Sequence, residues 1–324
     1  MSEITYREGL SRALHDAMEQ DQNVIVLGED VAAAGGAFKV TNGLLERFGE
    51  ERVLDTPISE QAIIGAAIGA AVQGLRPVAE VMFADFAATC FDGIANELPK
   101  YRYMTGGQVS VPAVVRMANG AGGGFGAQHS QSVENWFLNV PGLKVATPAR
   151  PADAYGLLRA AIEDPDPVLV FEHKGLFNVK EEVSELRPVE LGKAAVVRSG
   201  ADLVVVATQQ MLHRALEAAD LLAAEGIEAT VIDPRTVVPL DTATVLESVE
   251  ATNRLLVVQE SPAGGSWGAT LVAELSETAF ELFDAPPRLL SAEWTPIPYA
   301  ASLESEWLPS VERIAEAARA VVRF

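Results

Sequence analysis

The stretch Val53-Leu54-Asp55-Thr56-Pro57-Ile58-Ser59-Glu60-Gln61 reads as a short strand, a proline break and an acid at the mouth of a helix. The helix that follows, Ala62 to Val72, is built almost entirely of small residues and isoleucine. Small side chains let another backbone or a flat ligand come close. A carboxylate beside such a surface is poorly solvated, so it is either neutral or held by a specific partner. On the residues alone two readings stand. Glu60 is a reactive acid, or Ser59 is an N-cap and Glu60 a first-turn acid favoured by the helix dipole.

Outward from this stretch the chain alternates short apolar runs with helical segments. Val24-Ile25-Val26-Leu27, residues 77–83, 112–117, 143–146 and 168–172 read as strands, and residues 5–20 and 151–163 as helices. A long helix is expected from Phe86 to about Tyr103. Continuous apolar strands separated by helices mark a parallel α/β architecture. Residues 178–188 are charged and without period, as in a linker. Beyond them the alternation resumes, with strands near 202–206, 228–232, 254–258 and 288–290 and a last helix from Pro309. The expected fold is α/β with two parallel-sheet domains, residues 1–188 and 189–324.

Composition narrows the function classes. With 49% hydrophobic and 21% charged residues the chain is that of an ordinary globular protein, and a net charge of −21 argues against a nucleic-acid partner. No apolar run is long enough to span a bilayer, and the first residues carry neither a signal core nor an Arg-rich leader. The single cysteine, Cys90, suits a reducing cytoplasm and reads as a buried structural thiol. The 4 histidines show no zinc-type spacing.

Several further residues invite a role. Asn119 to Gly126 is glycine-rich, but it lacks the position and the downstream acid of a dinucleotide fingerprint, so a hinged loop fits better. His129 follows it, flanked by Gln128, Ser130 and Gln131. It is either a proton donor and acceptor near neutral pH or a satisfied surface histidine. Phe86 and Glu29 each lie just past a strand, where α/β folds open ligand crevices. Phe86 could stack on a ring or be core; Glu29 could be a second buried acid or a solvated turn residue. The turn Ala161-Ile162-Glu163-Asp164-Pro165-Asp166 combines helix-end carbonyls with carboxylates, which suits a cation or a plain acidic turn. No Gly-Asp-Gly with a downstream Asn occurs, so a diphosphate-bound divalent ion would need another chain.

The ordered set Gly28-Glu29-Asp30-Val31, Val53 through Glu60, Phe83-Ala84-Asp85-Phe86, Tyr101 to Met104, Gln128-His129-Ser130-Gln131, Pro141 to Val145, Arg235-Thr236 and Pro296-Ile297-Pro298-Tyr299 resembles one family almost end to end. It is the beta subunit of the thiamine diphosphate (ThDP)-dependent decarboxylating component of 2-oxo acid dehydrogenase complexes, acetoin dehydrogenase relatives included. The resemblance implies a ThDP pyrimidine-binding domain followed by a transketolase C-terminal-like domain. It implies Glu60 as the acid that activates the cofactor through its aminopyrimidine ring, with Phe86 beside that ring and the Ile58 backbone in contact with it. Glu29 matches an acid in a tunnel between paired sites, and His129 a histidine suited to acyl transfer onto a lipoyl group.

By the same resemblance, Ala113, Ala161, Ile162, Asp164 and Asp166 match a potassium site of some relatives, although Asp166 stands where those carry Asn. Mg2+ and the diphosphate are expected on an alpha subunit in an α2β2 heterotetramer that feeds a lipoyl acyltransferase core. Pyruvate is the expected 2-oxo acid substrate. An acetoin dehydrogenase beta subunit and a split transketolase C-terminal subunit are the alternatives. No membrane association is expected.

Overall fold

The computed structural model describes residues 2–324, which form two compact units. The first takes the chain up to Asn119 together with Asn139–Leu191; the second takes Gly120–Leu138 together with Gly192–Phe324. The main division falls at 191/192, and the glycine-rich segment belongs to the second unit.

In the first unit, parallel strands lie in the order Lys144–Ala146, Val168–His173, Val114–Asn119, Arg76–Phe83, Val24–Gly28 and Val53–Asp55. Every residue of Val24–Gly28, Val114–Asn119 and Val168–His173 is buried, as expected of strands covered on both faces. Helix Tyr6–Gln20 starts at a capping box, in which Thr5 and Glu8 exchange side-chain and backbone bonds, and it buries Leu10, Leu14 and Met18. It packs closely on helix Pro151–Glu163. The closeness comes from Gly9, where an added Cβ would stand 2.4 Å from the Pro151 carbonyl oxygen.

One charged group lies inside this sheet. Arg116 is 2% exposed and donates through Nε and Nη2 to the Glu172 carboxylate at 2.7 and 2.8 Å, and through Nη1 to Glu80 at 2.8 Å. Burial disfavours the guanidinium charge, but Glu172 and Glu80 outweigh it and hold Arg116 above the ordinary arginine range.

Two expectations are corrected. Part of the expected linker is a strand, Lys180–Val183, paired antiparallel with Ser2–Thr5. The expected long helix after Phe86 is broken into a 3-10 turn Ala84–Cys90, a π turn Gly93–Glu97 and a short α-helix Tyr101–Met104. Gly93 sits against Ile64, whose Cγ2 would lie 2.8 Å from an added Cβ, and Pro99 interrupts the helical bonding. Tertiary contact overrides the helical period here.

The second unit has a sheet in the order Arg288–Ala292, Leu255–Pro262, Leu203–Ala207, Ala229–Asp233 and Ala195–Arg198, of which only the last runs antiparallel to its neighbour. Helices Gln209–Ala223, Thr242–Thr252, Trp267–Thr278 and Val311–Val322 connect or follow its strands. Asp241, Ser266 and Ser310 cap the last three through side-chain oxygens, which stops each helix start at a defined residue. Among the described residues, no helix is long and apolar enough to cross a membrane.

Gly9→Ala tests the helix crossing. The added methyl meets backbone that cannot swing aside, so it should destabilise the chain by about 1–3 kcal/mol despite alanine's better helix propensity. A denaturation midpoint equal to or above that of the parent chain would refute the close crossing.

Candidate active site

Glu29, Glu60 and Phe86 reach one end of the first unit's sheet from three adjacent strands. Each follows the carboxyl end of its strand, respectively Val24–Gly28, Val53–Asp55 and Arg76–Phe83. That end is where open α/β sheets receive ligands. Two hydrogen bonds fix the loops. The Thr56 amide donates to the Gly28 carbonyl at 2.9 Å, and the Ala32 amide to the Asp55 carboxylate at 2.7 Å. Gly28 can be nothing larger, since a Cβ there would lie 2.8 Å from the Glu80 carbonyl oxygen.

Glu60 opens helix Glu60–Val72. Ser59 holds the N-cap position, but its hydroxyl accepts no capping bond, so the plain capping account of this stretch fails at its first residue. The helix buries Ile63, Ile64, Ala67, Ile68 and Ala71 and leaves Ala62, Gly65, Ala66 and Gly69 exposed. Cβ atoms added at Gly65 and Gly69 would meet nothing within 4 Å, so the exposed face is bare backbone and methyl groups. Ile58 is 76% exposed just before it. Phe86 stands edge-on to Phe83 at 5.6 Å between ring centroids, and Phe83 in turn meets Phe38 at 5.6 Å, so the Phe86 ring has a fixed support. Glu60 also acts on the buried Cys90, whose thiol is pushed up to about 12 by burial first and the Glu60 charge second. That thiol is inert as a nucleophile at neutral pH.

Burial, then the Asp30 carboxylate, then that of Glu60, push the Glu29 carboxyl above the ordinary glutamate range. A bare carboxylate, a supported aromatic ring and an exposed backbone turn suit a flat nitrogen heterocycle with an ionisable ring nitrogen. They do not suit a phosphate or a metal. Among the described residues, no group of three or more His, Cys, Asp or Glu stands close enough to hold a metal ion.

The turn expected to take potassium is already supplied with cations. The Ile162 carbonyl accepts from Arg76 Nη1 at 2.9 Å, and Asp164 Oδ2 accepts from Lys144 Nζ at 2.5 Å. Asp164 Oδ1 accepts the Asp166 amide at 2.9 Å, and Asp166 Oδ1 accepts from Arg102 Nη1 at 2.6 Å. The Ala113 carbonyl accepts the Val168 amide at 3.1 Å within the sheet, and Ala161 lies buried in the helix end.

His129 belongs to the second unit. Its amide donates to the Gly126 carbonyl at 3.3 Å, at the end of a loop in which Gly120, Gly122, Gly124 and Gly126 all have positive φ. Alternating glycines of this kind turn successive amides inward as an anion-binding nest. The nest is filled by the chain itself. Gly122 and Gly124 amides donate to Glu304 Oε1 and Oε2, each at 3.0 Å, and the Ala121 amide donates to Glu260 Oε1 at 2.5 Å. A nucleotide reading of the loop would have to displace Glu304 and Glu260 from those three amides. Glu260 and Glu304 are the residues that the sequence left unmarked. Glu260 lies near the end of strand Leu255–Pro262, a position that could have drawn notice. Glu304, in the short helix Ala301–Trp307, offered no signal.

Because folding raises the Glu29 pKa, its charged form costs stability. That cost is absent below the pH at which the unfolded glutamate titrates, and it is incurred in full above the folded value. Glu29→Gln should therefore raise the melting temperature near neutral pH, and calorimetry should show the gain shrinking as the pH falls toward the ordinary glutamate range. A gain that grows on acidification would refute the like-charge crowding.

Residues 2–180 match the transketolase pyrimidine binding domain, and residues 192–314 match the transketolase C-terminal domain. The chain is 45% identical over 324 residues to the beta subunit of acetoin:2,6-dichlorophenolindophenol oxidoreductase from Bacillus subtilis (strain 168), covering 96% of this chain and 95% of that one. It is 42% identical over 323 residues to the pyruvate dehydrogenase E1 component subunit beta of Rickettsia felis, covering 99% of each. A solved structure described as a split gene transketolase, inactive beta4 tetramer, shares the fold with a TM-score of 0.81 at 26% identity, over 99% of this chain and 98% of that chain. With both domains matched in order and such identity over nearly the whole length, the chain belongs to the transketolase-like family of pyruvate dehydrogenase E1 and acetoin dehydrogenase beta subunits.

Proposed function

We propose that this chain is the beta half of a ThDP-dependent 2-oxo acid dehydrogenase, with pyruvate as its substrate and a lipoyl group on a separate acyltransferase as acceptor. The observation that carries the reading is Glu60 at the head of a bare helix, with Phe86 and exposed Ile58 in the same unit. ThDP, when bound, would supply a carbon nucleophile toward the 2-oxo carbonyl and a sink for the electron pair left behind as carbon dioxide departs. Glu60 would hold a proton at the aminopyrimidine ring nitrogen. Phe86 and the Ile58 backbone would flank that ring. Glu29 keeps its proton to higher pH than an ordinary glutamate, which suits an acid that exchanges protons behind Glu60. His129 would give a proton to the departing sulfur as the dithiolane S–S bond opens and the other sulfur takes the acyl group.

The Mg2+ and the diphosphate are assigned to an alpha subunit in an α2β2 assembly. The chain's own sequence lacks the motif for them, and its relatives are named as subunits. Acetoin is the second reading of the substrate, since an acetoin oxidoreductase beta subunit and a pyruvate dehydrogenase E1 beta subunit are each 45% identical to this chain. A split transketolase is third, since its named representative is only 26% identical. Potassium at Ala113, Ala161, Ile162, Asp164 and Asp166 is not proposed, because Lys144 and Arg102 already bond the Asp164 and Asp166 carboxylates and Arg76 the Ile162 carbonyl.

Reconstitution with a candidate alpha subunit, ThDP and Mg2+ tests the reading, with pyruvate, branched-chain 2-oxo acids and acetoin assayed against a dye acceptor. Activity should appear only in the mixture. Glu60→Gln should lower it by roughly 10²–10⁴-fold, the range of a lost acid–base partner. Full turnover by that variant would remove Glu60 from the chemistry. Turnover of sugar phosphates alone would favour the split transketolase. For the cation, replacing KCl by NaCl at equal ionic strength should leave the melting temperature unchanged to within about 1 °C, because nothing that binds only the folded state is lost. A drop of several degrees would restore a potassium site.

A further inference from the structure

The loop before His129 is unusual in what holds it. Glycine-rich loops with inward amides are anion sites, and phosphates or other bound anions ordinarily satisfy them. Here two acids distant in sequence occupy the concavity. Glu304 is 3% exposed and spends one carboxylate oxygen on the Gly122 amide and the other on the Gly124 amide. Glu260 is 7% exposed and spends Oε1 on the Ala121 amide and on the Ser132 hydroxyl, which donates at 3.0 Å. Ala121 precedes His129 and Ser132 follows it, so Glu260 ties the two ends of the segment together. The Gly120 amide adds a second tie at the neck, donating to the Gln131 carbonyl at 3.3 Å. Each bond made by the acids has a charged acceptor and lies in a buried setting, where such bonds are strongest. The glycines themselves supply no rigidity, since positive φ costs glycine nothing and leaves the free loop many conformations.

We infer that Glu304 and Glu260 are positioning residues, whose carboxylates fill the nest of the glycine-rich loop and so fix the segment that presents His129. Neither touches substrate or cofactor in this role. They act through the loop, which without them is a flexible tether. The inference rests on the proposed part of His129 in transfer to the lipoyl group, and it predicts that loss of either carboxylate harms that step selectively.

The test uses the reconstituted complex and the variants Glu304→Gln, Glu304→Ala and Glu260→Gln. Amide hydrogen exchange reads the clamp directly. Exchange at Gly122 and Gly124 should accelerate by about tenfold or more in Glu304→Ala, which loses both charge-assisted bonds, and at one of the two amides at least in Glu304→Gln, whose amide nitrogen cannot accept. Added acetate should slow it again in Glu304→Ala by refilling the nest, whereas acetamide should not. The kinetic readout compares turnover with a lipoyl acceptor against turnover with a dye acceptor. The variants should lose about tenfold with the lipoyl acceptor and stay within about threefold with the dye, and acetate should restore the former in Glu304→Ala.

Unchanged exchange in Glu304→Gln would overturn the clamp, as would rescue by acetamide equal to that by acetate. Faster exchange with equal losses in the two assays would overturn the positioning role. His129→Ala is the control that separates this inference from the reading beneath it. If that variant shows no preference for the lipoyl assay, the role of His129 fails, and exchange with acetate rescue alone decides whether the acids hold the loop. Glu304→Gln keeps the shape of the side chain and one acceptor oxygen, so it remains informative where the alanine variant does not fold.

Discussion

A guanidinium buried between two carboxylates is the constraint on which the first unit depends. Arg116 lies on the strand between those carrying Glu80 and Glu172 and is bonded to both. Removing any one of the three would leave a charge or a donor stranded in the sheet, which is far costlier than never having built the group. The group also discriminates between registers. A strand slipped by one residue would turn Arg116 to the opposite face of the sheet, away from both partners. Central strands made only of valine, leucine and alanine lack such a discriminator. The carboxyl ends of Val24–Gly28, Val53–Asp55 and Arg76–Phe83, from which Glu29, Glu60 and Phe86 follow, inherit their level from that register.

The second unit solves a different problem. A histidine on a glycine-rich loop has reach but no fixed position. Buried acids at Glu260 and Glu304 offset that freedom by bonding amides that a side chain in the loop could not satisfy. The same loop thus resembles a phosphate cradle in sequence and behaves as a closed internal anion site in structure. The pattern Gly122, Gly124, Ala127 specifies amides that point inward; it does not specify what they meet.

Much of the fold was legible because it rests on local periods. Continuous apolar runs such as Val24 to Leu27 can hardly be anything but buried strands, and the parallel α/β class follows from their alternation with helices. The failures occur where a distant contact decides. The segment from Phe86 to Tyr103 has a helical composition, but Gly93 pressed on Ile64 and the proline at 99 divide it. Lys180–Val183 looked like a linker because only its pairing with Ser2–Thr5 makes it a strand. At the site, Glu29, Glu60 and Phe86 could be named because each follows a strand or opens a helix, whereas Ile58 was marked only by the family resemblance. Glu304 could not, because the amides it serves lie some 180 positions earlier in the chain.

The division of the chain has an evolutionary consequence. The two units are not two consecutive halves, since Gly120–Leu138 leaves the first and joins the second before the chain returns at Asn139. A gene cut at the 191/192 junction would place His129 and its loop on one polypeptide and both of the loop's acids on the other. Such a cut yields pieces that must find each other again to rebuild a single loop. Recombination between relatives at that junction would likewise separate residues that have to be inherited together. The modular boundary visible in the linear sequence is thus a poor place for exchange, and the pairing of loop and acids is a reason for the two halves to travel as one gene.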